Sequence, residues 1–287
     1  MNTVEFFGNK VSKLIIGDNP INGHSYIEDK ISGKEMKEYY TSERIKEALF
    51  QMEANGYNTM LPLADPFIIR ILQEYQREGG KMQFIFQPYM PMDQDVSMRD
   101  MMTLNTIGVY HQGTTTDYLY ETGRCDEILA MIERYHKMGI PVGLGTHRPD
   151  VIEKSEREGW NVDFYLACMQ NARRKREGEP SGFLTGKTKA HLVFYPEDRP
   201  VMLETLKKVT KPVIAFKIFA GGQIFVGKSE DEKREVIKGV YDEVFTALKP
   251  NDLAAIGVFQ RDNDQIKENA ELYREWYDEK GYKIMTP

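Results

Sequence analysis

The sequence predicts an α/β protein, a (β/α)8 TIM barrel with an N-terminal β-hairpin. Eight short apolar runs recur along the 287 residues, amphipathic helical patterns separate them, and no Pro/Gly/Ser-rich linker or change of composition divides them. Such alternation is the pattern of βαβ units on a parallel sheet, and eight strands close that sheet into a barrel. The expectation is one barrel domain over 1–287.

The elements follow in order. Val4-Glu5-Phe6-Phe7-Gly8-Asn9-Lys10-Val11 reads as strand, Gly-Asn turn and strand, a hairpin that would close the barrel bottom. The barrel strands are expected at Leu14–Ile16, Tyr57–Leu61, Gln83–Phe86, Thr106–Tyr110, Val142–Leu144, Val162–Leu166, Val213–Phe216 and Ala254–Val258. Ile45, Ala48, Leu49 and Met52 recur at helical spacing before Gly56, which suits a left-handed cap. Asp65-Pro66 reads as an N-cap and first-turn proline before Ile68, Ile69, Leu72 and Tyr75. Asp126 is expected to cap the helix that carries Leu129 and Ile132. Ser229 and Glu232 have capping-box spacing, and Ile266, Tyr273 and Trp276 mark the last helix. Asn171 to Ala190 reads as a long irregular loop at the barrel mouth. Within it, Gly182 to Thr188 is one residue short of a phosphate-loop motif and reads as loop, and Arg173 to Arg176 as a solvated helix end.

Composition bounds the function. Residues are 41% hydrophobic and 29% charged, and 38 basic against 44 acidic side chains give a net charge of −6. A mild acidic excess argues against nucleic acid as the main partner. The apolar runs fall far short of the ~18 residues that span a bilayer, so no membrane partner is expected. The opening residues lack the basic and then apolar run of a secretory signal, which gives cytoplasmic as the expected location. Cys125 and Cys168 have no CxxC spacing and read as ordinary thiols. The expected partner is a small-molecule substrate, with the oligomeric state open.

In a barrel the residues just past each strand's C-terminal end line the active site. That rule selects Asp18, Asn19 and His24 after the first strand, Gln87 after the third, His111 after the fourth and His147 after the fifth. Asn171, Lys217, Gln260 and Arg261 follow the sixth, seventh and eighth. Three of the five histidines fall at such ends. His111 is the expected acid/base group, because imidazole titrates near neutral pH. Lys217 is the expected charge stabiliser or carbonyl-capturing amine. The others are expected to position substrate or cofactor. His24, His111, His147 and Asp18 would make a divalent metal site only by converging in space, and no metal ligand is assigned.

Several segments resemble the aldo-keto reductase superfamily. Gly8 to Gly17 is similar to that family's opening "G…VS.L.LG", and Ile107-Gly108-Val109-Tyr110-His111 to its fourth strand ending in histidine. Gly143-Leu144-Gly145-Thr146-His147, Val162-Asp163-Phe164 and Asn171 resemble the fifth and sixth strands. Ile214 to Lys217 with Ala220-Gly221-Gly222 resembles the seventh, and Gln265 to Asn269 the "Q-x-x-EN" start of the last helix. The resemblance implies the barrel, a carbonyl substrate and a possible NAD(P) cofactor, with His111 matching the family's histidine. The family's Asp, Tyr and Lys have no counterpart: Leu61-Pro62-Leu63-Ala64, Pro66-Phe67 and Gln87 stand there. Phe259-Gln260 replaces the basic-then-Ser pair of NADPH-using members, and Asp262 and Asp264 flank Arg261. The sequence thus points to an aldo-keto-reductase-like barrel enzyme working by acid/base or carbonyl chemistry on a small carbonyl or sugar-like compound, not a typical reductase. The alternatives are an NAD(P)H-dependent oxidoreductase with a substituted tetrad, a metal-dependent sugar isomerase or lyase, and a noncatalytic small-molecule sensor.

Overall fold

Eight parallel strands form a closed barrel in the computed structural model, which describes residues 1–171 and 192–281. β1 (Thr3–Phe6) and β2 (Asn9–Ser12) make an antiparallel hairpin. The barrel follows as β3 (Leu14–Gly17), β4 (Thr59–Leu61), β5 (Gln83–Phe86), β6 (Thr106–His111), β7 (Val142–Thr146), β8 (Phe164–Cys168), β9 (Val213–Phe216) and β10 (Leu253–Gly257). Each strand pairs with the next, and β10 returns to β3 with Ile256 opposite Ile16.

Helices cover the outside. They are α1 (Gly33–Tyr39), α2 (Ser42–Ala54), α3 (Pro66–Arg77), α4 (Gln94–Met101), α5 (Gly113–Glu121), α6 (Cys125–His136), α7 (Pro149–Glu158), α8 (Asp198–Leu206), α9 (Glu230–Ala247) and α10 (Gln265–Trp276). Among these described residues, no helix is long and apolar enough to cross a membrane.

Side chains alternate along the strands, except at the irregularity where β6 takes an extra residue against β5, and divide the core in two. Ile15, Leu61, Ile85, Tyr110, Leu166 and Ile214 fill the barrel interior. Their neighbours Ile16, Met60, Phe86, Val109, Leu144 and Ala215 face outward and pack with the helices. The hairpin plugs the N-terminal end: Phe6 and Val11 join the interior cluster, and the Phe6 ring meets that of Phe164 edge-on at 5.3 Å. Lys13 is buried at this end, where Nζ donates to the carbonyls of Pro250 (2.6 Å) and Lys249 (3.3 Å).

All eight expected strands form, with ends moved by at most two residues. Asp65 accepts from the amides of Phe67 and Ile68, and Ser229 and Glu232 form the capping box. Asp126 is not a cap. The chain turns through Gly123 (φ 73) and α6 begins at Cys125 with Arg124 in the capping position, so Asp126 sits inside the first turn. There its charge still complements the helix dipole. The expected loop from Asn171 to Ala190, with Arg173–Arg176 and Gly182–Thr188, lies outside the described residues except for Asn171.

Candidate functional site

The C-terminal strand ends open onto a cavity of about 620 Å³. Its wall includes Asp18 past β3, Gln87 past β5, Tyr110 of β6, His147 past β7 and Lys217 past β9.

Lys217 reaches the cavity through an unusual backbone. Phe216 also lines the cavity, and strict alternation would turn the next side chain away from it. At Lys217 φ is 55°, a left-handed conformation that non-glycine residues seldom adopt, and this places both side chains on the cavity wall. Strain of this kind persists only where surrounding contacts enforce it. Here they do: Nζ lies 3.4 Å from His147 Nε2 and over the rings of Tyr26, Phe194 and Phe216, at 4.6, 5.5 and 5.6 Å from their centroids.

His147 is held from behind by Asp117, a fully buried carboxylate on α5. Oδ2 of Asp117 lies 2.8 Å from His147 Nδ1 and accepts from the His147 amide at 3.2 Å, while Oδ1 accepts from Thr146 Oγ1 at 2.5 Å. Two glycines let α5 come this close to β7. A Cβ on Gly145 would stand 2.9 Å from the Gly113 nitrogen, and one on Gly113 3.2 Å from the Thr146 nitrogen. With Nδ1–H given to Asp117, Nε2 is directed to Lys217.

The electrostatics favour charge at this wall. Burial opposes the imidazolium, yet Cys168 and Asp117 outweigh it and Lys217, lifting His147 to about 9. Burial likewise opposes the Lys217 ammonium, and Tyr26, Cys168 and Asp117 hold it above the usual lysine range. Burial raises the Cys168 thiol, but His147 and Lys217 more than reverse that and lower it.

Elsewhere on the wall stands Asp18. Its Oδ2 accepts from the Leu63 amide (2.5 Å) and Asn22 Nδ2 (2.6 Å), while burial pushes the carboxyl up to about 7 against those bonds. Gln87 accepts from the Tyr110 hydroxyl at 3.3 Å, and Asn19 Nδ2 donates to the Tyr26 hydroxyl at 3.4 Å. His24 lines the rim, held below the usual imidazole range by partial burial and by the charges of Lys37 and Lys217.

The cavity thus gathers Asp18, Asn19, His24, Gln87, His147 and Lys217 from the residues expected at the site. His111 differs. It is the outward member of its strand pair: Tyr110 faces the interior, and His111 pairs in register with Leu144 of the outer core. Buried there, Nδ1 meets Thr116 Oγ1 at 2.7 Å, and burial pushes the imidazole down to about 4. His111 is not among the cavity-lining residues.

Gln260, Arg261 and Asn171 also lie off the cavity wall. Gln260 bonds Gln51 and Asp264, Arg261 pairs with Asp262 (2.9 Å) and Glu35 (3.0 Å), and the Asn171 amide donates to Asp198 (3.1 Å). Arg261 is therefore already paired with two carboxylates, which does not fit the 2′-phosphate of NADPH. Among the described residues, no three His, Cys, Asp or Glu side chains converge to hold a metal ion.

Sequence reasoning passes over Asp117, Tyr110, Tyr26 and Cys168. For Cys168 a parity count along β8 would have found the inward side chain, but β6 takes an extra residue against β5 at Ile107, and Ile107 and Tyr110 both join the interior cluster, so parity does not find Tyr110. Asp117 lies in the middle of a helix, and nothing in its spacing marks it.

No family model matches the chain, and no curated protein matches it. Solved structures do. The chain is similar to dihydropteroate synthase from Yersinia pestis in complex with a sulfonamide drug, at 8% identity and a TM-score of 0.55, covering 98% of this chain and 99% of that one. It is similar to an aldo-keto reductase from Bacillus halodurans in its holo form, at 12% identity and 0.53, covering 95% and 90%. A truncated 3-deoxy-D-arabino-heptulosonate 7-phosphate synthase from Thermotoga maritima gives 12% and 0.51, covering 98% and 92%. The likeness is one of fold. A reductase and two synthases share the barrel with this chain, so the aldo-keto reductase resemblance of the sequence is matched at the level of the TIM barrel.

Proposed function

We propose that the protein is a barrel enzyme that performs acid/base chemistry on a small carbonyl or polyhydroxy compound. The observation that carries this reading is that one cavity is lined both by the caged Lys217 ammonium and by Asp18, whose carboxyl burial pushes up to about 7. A fixed cation stabilises negative charge as it develops on a carbonyl oxygen, and does so most strongly where water is excluded. A carboxyl poised near neutral pH exchanges protons efficiently. In this reading Lys217 stabilises the oxyanion, with His147 beside it held in orientation by Asp117. Asp18 takes and returns a proton, and Gln87, Asn19 and His24 bind hydroxyl or carbonyl groups.

Lys217 acts here as a charge and not as a covalent amine, because its surroundings favour the ammonium over the neutral nucleophile. The reading retains the aldo-keto reductase likeness for the carbonyl substrate and uses no hydride transfer.

The test follows α-proton exchange in D2O by 1H NMR over a panel of small aldehydes, ketones and sugars. Exchange with the native protein, lost in Lys217→Met and in Asp18→Asn, is the expected result. Binding of a panel member without exchange would make the protein a sensor and end the enzyme reading.

A further inference from the structure

Lys217 is covered by a roof built from three segments far apart in the chain. Tyr26 lies between β3 and α1, and Phe194 lies before α8. Their rings stand 5.2 Å apart and both cover Nζ. The third segment is the 3-10 turn Ala220–Phe225, which follows Lys217 and carries Gln223. Gln223 Nε2 donates to the carbonyls of Tyr26 (2.8 Å) and Leu192 (2.5 Å), and Oε1 accepts from the Phe194 amide (2.9 Å). One side-chain amide thus ties the main chain on both sides of the roof.

The roof has a physical task. A lysine has a flexible four-carbon stem and a strongly hydrated ammonium, so an open site would not keep Nζ at one position. Aromatic faces attract the cation without accepting its proton, and they displace its water. Tyr26 is pressed onto the turn itself: a Cβ on Gly221 would stand 2.6 Å from its ring atoms. Gln223 does not line the cavity, so its influence on Lys217 passes through Tyr26 and Phe194.

We propose that Gln223 is the positioning residue of this site, the clamp that fixes the Tyr26–Phe194 roof over Lys217 and thereby holds the ammonium beside His147. The proposal rests on the reading of Lys217 as the working cation. Only an amide serves both sides of the clamp. Leucine of similar size loses every bond, and glutamate keeps the acceptor for Phe194 while setting a carboxylate against two carbonyls.

The experiment measures labelling of Lys217 by trinitrobenzenesulfonate, read by peptide mass spectrometry, in the native protein, Gln223→Leu and Gln223→Glu. Exposed Lys34 serves as the reference for reagent, and Lys13, buried at the opposite end of the barrel, for global loosening. Both variants are expected to label Lys217 about 10-fold faster, the loss of one desolvated cation–π contact, with Lys34 and Lys13 unchanged. Unchanged Lys217 labelling in a folded variant overturns the proposal, as does parallel acceleration at Lys13, which would mark a general loss of structure. If Gln223→Leu fails to fold, Gln223→Glu and Tyr26→Leu carry the same comparison. Labelling needs no turnover, so it reports on the clamp even if the α-proton exchange test fails.

Discussion

Asp117 Oδ2 lies 2.8 Å from His147 Nδ1, and the two residues come from different elements, α5 and the end of β7. The carboxylate is fully buried and accepts from three donors, so it is paired in the way that makes a buried charge tolerable. Its consequence is orientation: the imidazole cannot turn, and Nε2 stays on Lys217. Asp117→Asn is expected to lower the His147 pKa from about 9 and to cost about 1–3 kcal/mol of stability. Histidine 1H–13C titration by NMR and urea melts check both. An unmoved His147 titration would show that Cys168 alone sustains its charge.

Lys217→Met removes the cation while keeping much of the stem's packing. Loss of one preorganised oxyanion-stabilising group typically costs about 10²–10³ in rate, and that loss is expected in α-proton exchange, with the melt little changed. Lys217→Arg is expected to recover only part of it, because a planar guanidinium does not fit a cage formed around a compact ammonium.

Gly221→Ala tests the contact between turn and roof. Gly221 has φ 58°, and a Cβ there would meet the Tyr26 ring at 2.6 Å. The left-handed backbone costs alanine about 1–2 kcal/mol, and the clash pushes Tyr26 away from Lys217. Reduced exchange activity together with a lowered melting temperature is expected. Full activity would mean that the roof tolerates displacement.

The barrel is legible in the sequence because each of its layers leaves a pattern. Apolar runs mark the strands, and Asp65-Pro66 and Ser229/Glu232 mark helix starts through bonds that form locally. Lys217, His147 and Asp18 are legible as strand-end residues. What the sequence hides is direction. In Ile107-Gly108-Val109-Tyr110 both faces of the strand are buried, so hydrophobicity does not alternate and Tyr110 cannot be told from His111 as the inward residue. Asp117 and Gln223 are hidden for another reason. Each acts on a residue that only the closed fold brings near, across about 30 positions from Asp117 to His147 and far more from Gln223 to Tyr26.

Asp18 makes stability depend on pH with a definite sign. Its folded pKa of about 7 lies above the 3.8 of an ordinary aspartate, so the folded protein binds this proton more tightly than the unfolded chain. The stability it contributes is fully present below about pH 4 and is lost as pH rises through about 7. Asp18→Asn is expected to flatten that fall in urea melts between pH 5 and 8, which bracket the midpoint at about 7. It should also abolish the rise in exchange rate through neutrality that a general base would give. A native protein whose stability is level over this range would place the Asp18 carboxyl in its ordinary range and remove it as the proton acceptor.

His111 separates a reading by sequence position from a reading by side-chain direction. It ends β6 as an active-site residue would, yet it is buried against Thr116 in the layer between barrel and helices. His111→Ala is therefore expected to retain exchange activity within a few-fold while losing about 1–3 kcal/mol of stability through the lost bond to Thr116, whose hydroxyl keeps the Gln112 carbonyl, and the space left behind. The pH dependence has the opposite sign to that of Asp18. Burial depresses the imidazole to about 4, so its contribution is full above about 6.5 and is lost as pH falls through about 4. The variant should accordingly resist acid better, relative to its own neutral stability, than the native protein does. Abolished exchange in a folded His111→Ala would return the proton chemistry to β6 and require Tyr110 and His111 to exchange faces during catalysis, a one-residue slip of a strand paired on both sides.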